Sequence, residues 1–288
     1  MTAAKNVVVT GGVGRLGRFV VAELRKHGHN VTVLDMREPT DGSRFVRGDI
    51  MDIAALRKAF EGADAIAHLA GYDVDFGYPS EEYIRVNVSG SWNVLQVAGE
   101  LGIRKVVLSS SIAACGLQDA RPDHCPIYLP VDEKQPDMPR APYSVSKKLV
   151  EEMALRVAQA GKIDVIVMRP MMVLQQANIA KLVERAKDPK DRWLFYYVTP
   201  EDAALAYRGA IEKEGMSFGI FFVGARDSCT SVPTLELAQR LWPGEIPIRR
   251  PEVYAANPFA SIFDSSAAEK AFGYTPVSDW TRLAGITR

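Results

Sequence analysis

The chain has few of the residues that build metal centres or disulfide frameworks. Its 288 residues include three cysteines and four histidines. Cys115, Cys125 and Cys229 are odd in number and lack the close spacing of metal ligands, and the histidines show no pairing pattern. We therefore expect no metal site, and we expect reduced thiols, as is typical of cytoplasmic proteins.

An excess of charge of one sign is also missing. Lys and Arg total 35 residues, and Asp and Glu also total 35. No net field favours nucleic acid or an anionic membrane, and no apolar run approaches the length that crosses a bilayer. Because the first strand pattern begins a few residues into the chain, we expect no signal peptide. We expect a cytoplasmic protein that binds a small-molecule substrate, with neither nucleic acid nor membrane as a partner.

A glycine-rich turn stands between a strand pattern and a helix pattern near the start of the chain. A run of three valines precedes Gly11, Gly14 and Gly17, with Arg15 and Leu16 between the last two. Gly11 can adopt the angles of a tight turn, Gly14 leaves room for a phosphate, and Gly17 lets the helix pack closely on the strand. The first N–H groups of the helix then point at the anion. The pattern predicts that these five residues hold a dinucleotide pyrophosphate.

Acidic residues follow the second and third strand patterns. Asp35 lies 18 residues after Gly17, where a carboxylate can accept hydrogen bonds from the adenosine ribose hydroxyls and repel a 2′-phosphate. NAD is therefore favoured over NADP, although Arg37 is either a solvated loop residue or a partner for that phosphate. Asp49 and Ile50 are placed to meet the adenine, but Asp49 could equally cap the following helix.

Strand and helix patterns alternate through the first two thirds of the chain. This alternation predicts an α/β fold, a Rossmann-type doubly wound parallel sheet with ligands beyond the carboxyl ends of the strands. Strands are predicted near 6–10, 30–35, 44–48, 64–69, 104–109 and 163–169, and helices at 14–27, 52–60, 81–101 and 143–160.

After Pro170 the pattern loosens. It predicts helices at about 178–187 and 201–213 and strands at 193–198 and 218–223. We expect an NAD-binding Rossmann domain over residues 1–170. Residues 171–288 are expected to form a smaller C-terminal substrate-binding lobe, from which elements can return to the sheet.

A tyrosine and a lysine four residues apart open the last helix of the first part. On a helix, Tyr143 and Lys147 share one face. A phenol has a pKa of about 10 and must ionise to act as a base, which a fixed ammonium nearby favours. The serine run from Ser109 to Ser111 ends the preceding strand and brings hydroxyls to the same edge of the sheet.

These motifs, together with others in the same order, resemble the extended short-chain dehydrogenase/reductases, the NAD-dependent epimerase/dehydratase group. The resemblance covers residues 5–215. The further matching motifs are His68-Leu69-Ala70-Gly71, Asn87 with the segment to Asn93, Arg169-Pro170 and the C-terminal segment 263–276.

The resemblance implies a role for each matching residue. Tyr143 would be the acid/base, and Lys147 would hold the nicotinamide ribose and tune Tyr143. Ser111 would be the catalytic hydroxyl because it stands four residues before Cys115-Gly116, where Cys115 replaces the family's usual tyrosine. The residues implied to line the cofactor, besides those of the glycine turn and the strand ends, are Leu69, Ala70, Gly71, Asn87, Ser109, Tyr143, Lys147 and Pro170.

The resemblance also implies a homodimer. In the family, the helices corresponding to 81–101 and 143–160 pair with those of a second copy. The apolar residues that could supply this contact are Val94, Leu95, Leu149, Val150 and Met153, although packing on their own sheet is the competing use.

Departures from the family pattern narrow the substrate. Dehydratases of the group carry an Asp-Glu pair after the catalytic hydroxyl, where this chain has Ile112 and Ala113. Nucleotide-sugar enzymes usually have an asparagine at the position of Met172. We therefore expect a small hydroxy or keto compound, such as a free sugar or uronic acid. Candidate contacts are Tyr72, Asp73, Asp75, Phe76, Tyr78, Gln118, His124, Cys125, Lys181 and Arg185; the apolar alternatives are Met171, Met172, Trp193, Phe195 and Tyr196.

Three functions stay open from the sequence. The leading hypothesis is a dehydrogenase that binds NAD reversibly and oxidises a secondary alcohol or lactol. The second is an epimerase or isomerase that keeps NAD bound. A non-catalytic NAD-binding regulator is the third, and the presence of Ser111, Tyr143 and Lys147 argues against it.

Overall fold

A seven-stranded, all-parallel sheet is the centre of the structure, a computed structural model that describes residues 3–73, 77–117, 124–188, 191, 193, 195–242 and 244–287. The strand order is β3-β2-β1-β4-β5-β6-β7. The strands are β1 (Asn6–Thr10), β2 (Asn30–Asp35), β3 (Arg44–Arg47), β4 (Ala65–His68), β5 (Lys105–Ser109), β6 (Asp164–Pro170) and β7 (Phe218–Val223). The predicted α/β class and doubly wound sheet are confirmed.

The strands are apolar on both sides because helices cover both faces of the sheet. In β1, Val7 and Val9 point into one buried cluster and Val8 into another. Helices α2, α4 and α5 pack in succession on the Val8 side, and α1 packs with α7 on the other. The helices are α1 (Gly17–Lys26), α2 (Ile53–Phe60), α3 (Ser80–Glu82), α4 (Gly90–Glu100), α5 (Pro142–Gln159), α6 (Ile179–Arg185), α7 (Pro200–Glu212), α8 (Thr234–Leu241), α9 (Pro251–Ala256), α10 (Ser266–Phe272) and α11 (Trp280–Ala284).

The helix predicted at 81–101 contains a segment of different pitch. Residues Tyr83–Ser89 are π-helical, and they join α3 to α4 without a break in helical backbone angles. Wider turns of this kind are frequent at functional sites.

Residues beyond 170 contribute to the sheet as well as to the lobe. Strand β7 pairs in parallel with β6, and α7 packs against α1. One buried cluster includes both Val7 of β1 and Trp280 of α11, so the lobe shares its core with the sheet. The division at residue 170 stays a prediction.

The strand predicted at 193–198 is wrong. The described residues of this segment form no strand, and Val198 makes only an isolated bridge with Val173. Phe195 has a φ of +52°, which interrupts an extended backbone. The apolar pattern instead reflects burial, since Trp193, Phe195 and Tyr196 all lie in the main core cluster.

The predicted dimer contact is wrong for three of its five residues. Val94, Leu95 and Val150 are at most 1% exposed and pack on their own sheet, so they cannot meet a second copy. Leu149 is 42% exposed, and Met153 is partly buried.

Candidate cofactor and active site

The glycine turn after β1 has the geometry that its sequence predicts. Gly11 has a φ of +71°, and the Gly14 N–H donates to the Gly11 carbonyl over 2.9 Å. A Cβ at Gly11 would lie 2.7 Å from the backbone nitrogen of Ala70, and one at Gly17 would collide with the Gly11 carbonyl oxygen. Only glycine therefore allows the turn to lie against the end of β4 while α1 packs directly behind it.

The N-terminus of α1 fits an anionic group. Leu16 at the N-cap supplies no side-chain hydrogen bond, and the first turn contains no acidic residue. The positive end of the helix dipole is thus not neutralised by its own helix. With Gly14 and Arg15 beside it, this end could hold a pyrophosphate.

Asp35 ends β2 beside the same turn. Its carboxylate accepts the Val13 N–H over 3.1 Å and the Arg37 N–H over 3.0 Å. The Arg37 side chain is 70% exposed, yet its Nε lies 3.9 Å from Asp35 Oδ1. The Arg37 side chain is therefore solvated, which is the first of the two alternatives given above. Its guanidinium also lies close to the position at which a 2′-phosphate would meet Asp35.

Asp49 and Ile50 follow β3 at the same edge. Asp52, and not Asp49, is the N-cap of α2, because it accepts the N–H groups of Ala54 and Ala55. Asp49 is exposed and accepts the Met51 N–H over 3.0 Å, while the Ile50 side chain is buried. This arrangement leaves Asp49 available for an adenine at the surface.

The end of β4 lies close to Asn87 and to the start of α5. Leu69 and Ala70 are partly buried against the clusters of the sheet. A Cβ on Gly71 would lie 2.8 Å from Asn87 Oδ1 and 3.8 Å from Lys147 Nζ. Gly71 is thus the point at which the β4 edge approaches both residues.

A buried hydrogen-bonded chain runs behind this edge. Thr10 Oγ1 and His68 Nδ1 are 2.7 Å apart, and His68 Nε2 is 3.0 Å from Ser91 Oγ. Ser91 in turn donates to the Asn87 carbonyl. Burial lowers the pKa of His68 to about 3, so this histidine is neutral. The sequence does not predict this role for His68, because Thr10 and Ser91 are too far from it in the chain to form a recognisable motif.

Asn87 connects Tyr72, in the segment after β4, to α5. Its side chain accepts the Tyr72 N–H over 2.7 Å, donates to the Tyr72 carbonyl over 3.1 Å and donates to Ser146 Oγ over 3.1 Å. Ser146 Oγ donates to the Tyr143 carbonyl over 2.7 Å. Asn87 therefore supports the site from its π-helical segment, whose wider turn presents it to both neighbours.

Tyr143 and Lys147 lie together at the start of α5. Both are 9% exposed, and Lys147 Nζ is 5.8 Å from the centre of the Tyr143 ring. Lys147 Nζ also donates to the Ser109 carbonyl over 3.1 Å. Burial lowers the pKa of the Lys147 ammonium to about 8, and the charges of Asp73 and Glu151 partly oppose this shift.

The three serines after β5 separate into three environments. Ser109 Oγ accepts the Tyr207 hydroxyl over 2.6 Å, and Ser110 Oγ donates to buried Glu151 over 2.7 Å. Ser111 is half-buried and accepts the Ala113 N–H at the start of a short 3-10 helix, Ile112–Cys115. Ser110 thus donates its hydroxyl proton to Glu151, whereas Ser109 and Ser111 act as acceptors in these contacts. The catalytic role of Ser111 stays a prediction.

A buried ionic cluster stands behind the serines. Arg169 donates to Glu151 through Nε and Nη2 over 2.7 and 2.6 Å, and to Asp137 over 2.7 Å. Lys148 donates to Asp137 over 2.9 Å. The sequence could have suggested Glu151, four residues after Lys147 on the same helix, but not Asp137, which lies between β5 and α5.

A series of tyrosine contacts leads from the segment between β4 and α3 to Tyr143. Tyr72 and Tyr78 stack with ring centres 3.7 Å apart, and Tyr78 meets the edge of Tyr83. Tyr83 meets Tyr143 edge-on at 5.7 Å. Tyr72 and Tyr78 are partly buried against the cluster that contains Tyr83 and Tyr143, and their contact with a substrate stays a prediction.

The other substrate candidates are more dispersed. Asp75, Phe76 and Gln118 lie outside the described residues. Asp73 forms an ion pair with Arg15, Arg185 forms one with Asp191, His124 is buried, and Cys125 and Lys181 are exposed. The apolar alternative is disfavoured because Met171, Trp193, Phe195 and Tyr196 are buried in the core. Met172 is partly buried, and Pro170 is buried at the end of β6.

The described part of the chain has neither a cluster of metal ligands nor a membrane-spanning helix. It contains no group of three or more His, Cys, Asp or Glu residues that could hold a metal ion, and no helix there is long and apolar enough to cross a membrane. The three cysteines are free thiols.

Comparison with known proteins agrees with this geometry. The model of the NAD-dependent epimerase/dehydratase family matches residues 7–184. UDP-glucose 4-epimerase of Lactobacillus helveticus is 25% identical, with 94% of this chain and 92% of that enzyme covered. The Bos taurus enzyme of the same name is 31% identical, but the match covers 55% of this chain and only 50% of that enzyme.

A solved structure shows the same fold. It is a short-chain dehydrogenase/reductase superfamily protein from Agrobacterium tumefaciens with bound NAD, with a TM-score of 0.74 and 22% identity, covering 97% of this chain and 95% of that one. The epimerase/dehydratase family and its cofactor NAD, both predicted from the motifs, are confirmed by the family model. The chain belongs to the NAD-dependent epimerase/dehydratase family of enzymes.

Proposed function

We propose that this enzyme transfers a hydride between NAD and the secondary alcohol or lactol of a small, sugar-like substrate, and that it binds NAD reversibly. The observation that carries the proposal is the joint position of Tyr143, Lys147 and Ser111 at the carboxyl edge of the sheet. Lys147 is held by the Ser109 carbonyl, and Tyr143 by its contact with Tyr83.

The residues divide the chemistry among them. NAD, when bound, supplies the acceptor for the hydride. The Tyr143 phenolate removes the proton of the substrate hydroxyl, and the Lys147 ammonium stabilises that phenolate. The Ser111 hydroxyl donates a hydrogen bond to the substrate oxygen. The cofactor would be held by the glycine turn, by Asp35 and by the edge of β4; Asp49, Ile50, Asn87, Ser109 and Pro170 complete its proposed surroundings.

The neighbourhood of Tyr143 supports a reaction without dehydration. Ala113 is buried beside Tyr143, and Ile112 is buried in the main core. Neither position can supply the carboxylic acid that would remove water. Met172 in place of an asparagine likewise argues for a substrate without a nucleotide.

An epimerase is the second candidate, and the names of the relatives favour it. At 25% and 31% identity, both relatives described above are UDP-glucose 4-epimerases. An epimerase returns the hydride to the same substrate and gains nothing from releasing its cofactor, whereas a dehydrogenase must release NADH. A non-catalytic NAD-binding role would not require the three catalytic side chains.

Two measurements test the proposal. The purified protein is denatured and its nucleotide content is measured; less than stoichiometric NAD supports the dehydrogenase, and one tightly bound NAD per chain supports the epimerase. A screen of free sugars, uronates and hydroxy acids, followed by NADH absorbance, then names the substrate. Reduction of NAD by none of these, together with epimerisation of a nucleotide sugar, would refute the proposal.

We further propose a cytoplasmic homodimer formed through α4 and α5. Trp92 and Leu149 on these helices are 46% and 42% exposed, so both large apolar side chains are accessible to a second copy. Light scattering at micromolar concentration should give twice the mass of the chain, and Trp92→Glu should give the monomer. A wild-type monomer would rule out the dimer.

A further inference from the structure

An ion pair joins two loops at the carboxyl edge of the sheet. Nη2 of Arg15 donates to Oδ2 of Asp73. Arg15 belongs to the glycine turn after β1, and Asp73 follows β4 two residues after Gly71. The pair therefore connects the loops of two adjacent parallel strands.

These loops border the crevice in which a doubly wound sheet binds its dinucleotide. Strand order reverses between β1 and β4, since β2 and β3 lie on one side of β1 and β4 to β7 on the other. Ligands bind at this switch point. The close approach of Gly11 to Ala70 forms the floor of the crevice, and Arg15 and Asp73 meet beside it.

The two charges of the pair have opposite effects on the binding of a pyrophosphate. Arg15 would attract the anion, but its guanidinium is engaged by Asp73. The Asp73 carboxylate carries the same sign as the anion and also acts on the Lys147 ammonium. The Arg15 and Asp73 side chains are 35% and 43% exposed, so water screens their pairing and the contact can open readily.

We propose that Asp73 competes with the pyrophosphate of NAD for Arg15 and thereby lowers cofactor affinity enough for NAD and NADH to exchange. This inference rests on the proposed function, because exchange at each turnover is what a dehydrogenase needs and an epimerase does not. Asp73 is a residue that determines cofactor exchange rather than a catalytic residue.

The experiment measures NAD affinity without any substrate. Calorimetry at pH 6.5, where Lys147 is ionised, gives the Kd of NAD for the wild type, Asp73→Asn, Arg15→Met and the double variant. Asp73→Asn should bind NAD about five- to tenfold more tightly, because the competitor is lost. Arg15→Met should bind it at least about fivefold more weakly, and the double variant should fall between the two. Release of NADH, followed by stopped-flow fluorescence, should slow in Asp73→Asn.

A matched control separates the local effect from net charge. Glu100 pairs with Arg57 on the helices of the Val8 side, so Glu100→Gln also removes one carboxylate beside an arginine, and its NAD Kd should stay within about twofold of the wild type. Asp73→Ser serves as a second neutral variant if Asp73→Asn unfolds at a lower temperature.

Unchanged affinity in both neutral variants would overturn the proposal, since Asp73 would not act on the cofactor. Weaker binding would also overturn it, because the pair would then hold the dinucleotide in place. These results are independent of the substrate screen. Failure of the screen alone would count against the proposed function and leave the competition intact.

Discussion

Raising the pH from 7 to 9 should weaken NAD binding through Lys147. A lysine in water has a pKa of about 10.4 and stays ionised over this range. Burial of Lys147 brings its pKa down to about 8, against the weaker opposing effect of Asp73 and Glu151. The buried ammonium therefore loses its proton within the range in which the enzyme can be assayed.

The size of the effect follows from that value. If only the ammonium form holds the nicotinamide ribose, the Kd of NAD should be nearly constant below pH 7 and about tenfold higher at pH 9, one unit above the pKa. Calorimetric titrations at pH 7, 8 and 9 measure it directly. Lys147→Met should bind NAD more weakly at every pH and should show no slope.

The contribution of Lys147 to the free energy of unfolding should increase over this pH range, while NAD binding weakens. Between about pH 8 and pH 10 the unfolded chain still binds a proton at Lys147 that the folded chain has released, so this residue makes folding more favourable as the pH rises. Weaker NAD binding at high pH therefore cannot result from unfolding caused by the deprotonation of Lys147. A wild-type Kd that stays flat to pH 9, or an equal slope in Lys147→Met, would refute the reasoning.

Three further predictions concern the proton acceptor, cofactor choice and the buried ionic cluster. Tyr143→Phe should lower turnover by about 10²–10⁴-fold while NAD binding persists, because the ring keeps its packing and only the acceptor is lost; turnover near the wild-type rate would mean that another residue is the base. The kcat/KM with NAD should be at least about tenfold higher than with NADP, because Asp35 repels a 2′-phosphate. Equal values would show that the attraction of Arg37 for this phosphate outweighs the repulsion by Asp35. Glu151→Leu should reduce the free energy of unfolding in urea by about 3 kcal/mol, because Arg169 keeps only one carboxylate partner. Glu236→Leu removes an exposed ion pair on a helix and should lower the free energy of unfolding by less than about 1 kcal/mol. Equal losses in the two variants would contradict the assignment of Glu151 to a buried ionic cluster.

Several features could be predicted because they depend on residues close together in the chain. The alternation of strands and helices, the turn at Gly11 and the placement of Tyr143 and Lys147 on one helix face all follow from local periodicity and backbone freedom. The strand predicted at 193–198 failed for a physical reason. Apolar residues are required equally by strands and by a buried irregular segment, and composition does not distinguish the two.

The sequence alone determined the parallel sheet, and its motifs carry the proposed dinucleotide site and the proposed catalytic residues. The tertiary structure decided which distant residues meet. Arg15 reaches Asp73 only because β1 and β4 are neighbours in the sheet, and Arg169 at the end of β6 reaches Asp137, which precedes α5, only through the packing of separate elements. It also decided that Val94 faces the sheet while Trp92 faces solvent. Local preference acts over a few residues, whereas ion pairs and burial depend on how separate elements pack, and that packing is a property of the whole chain.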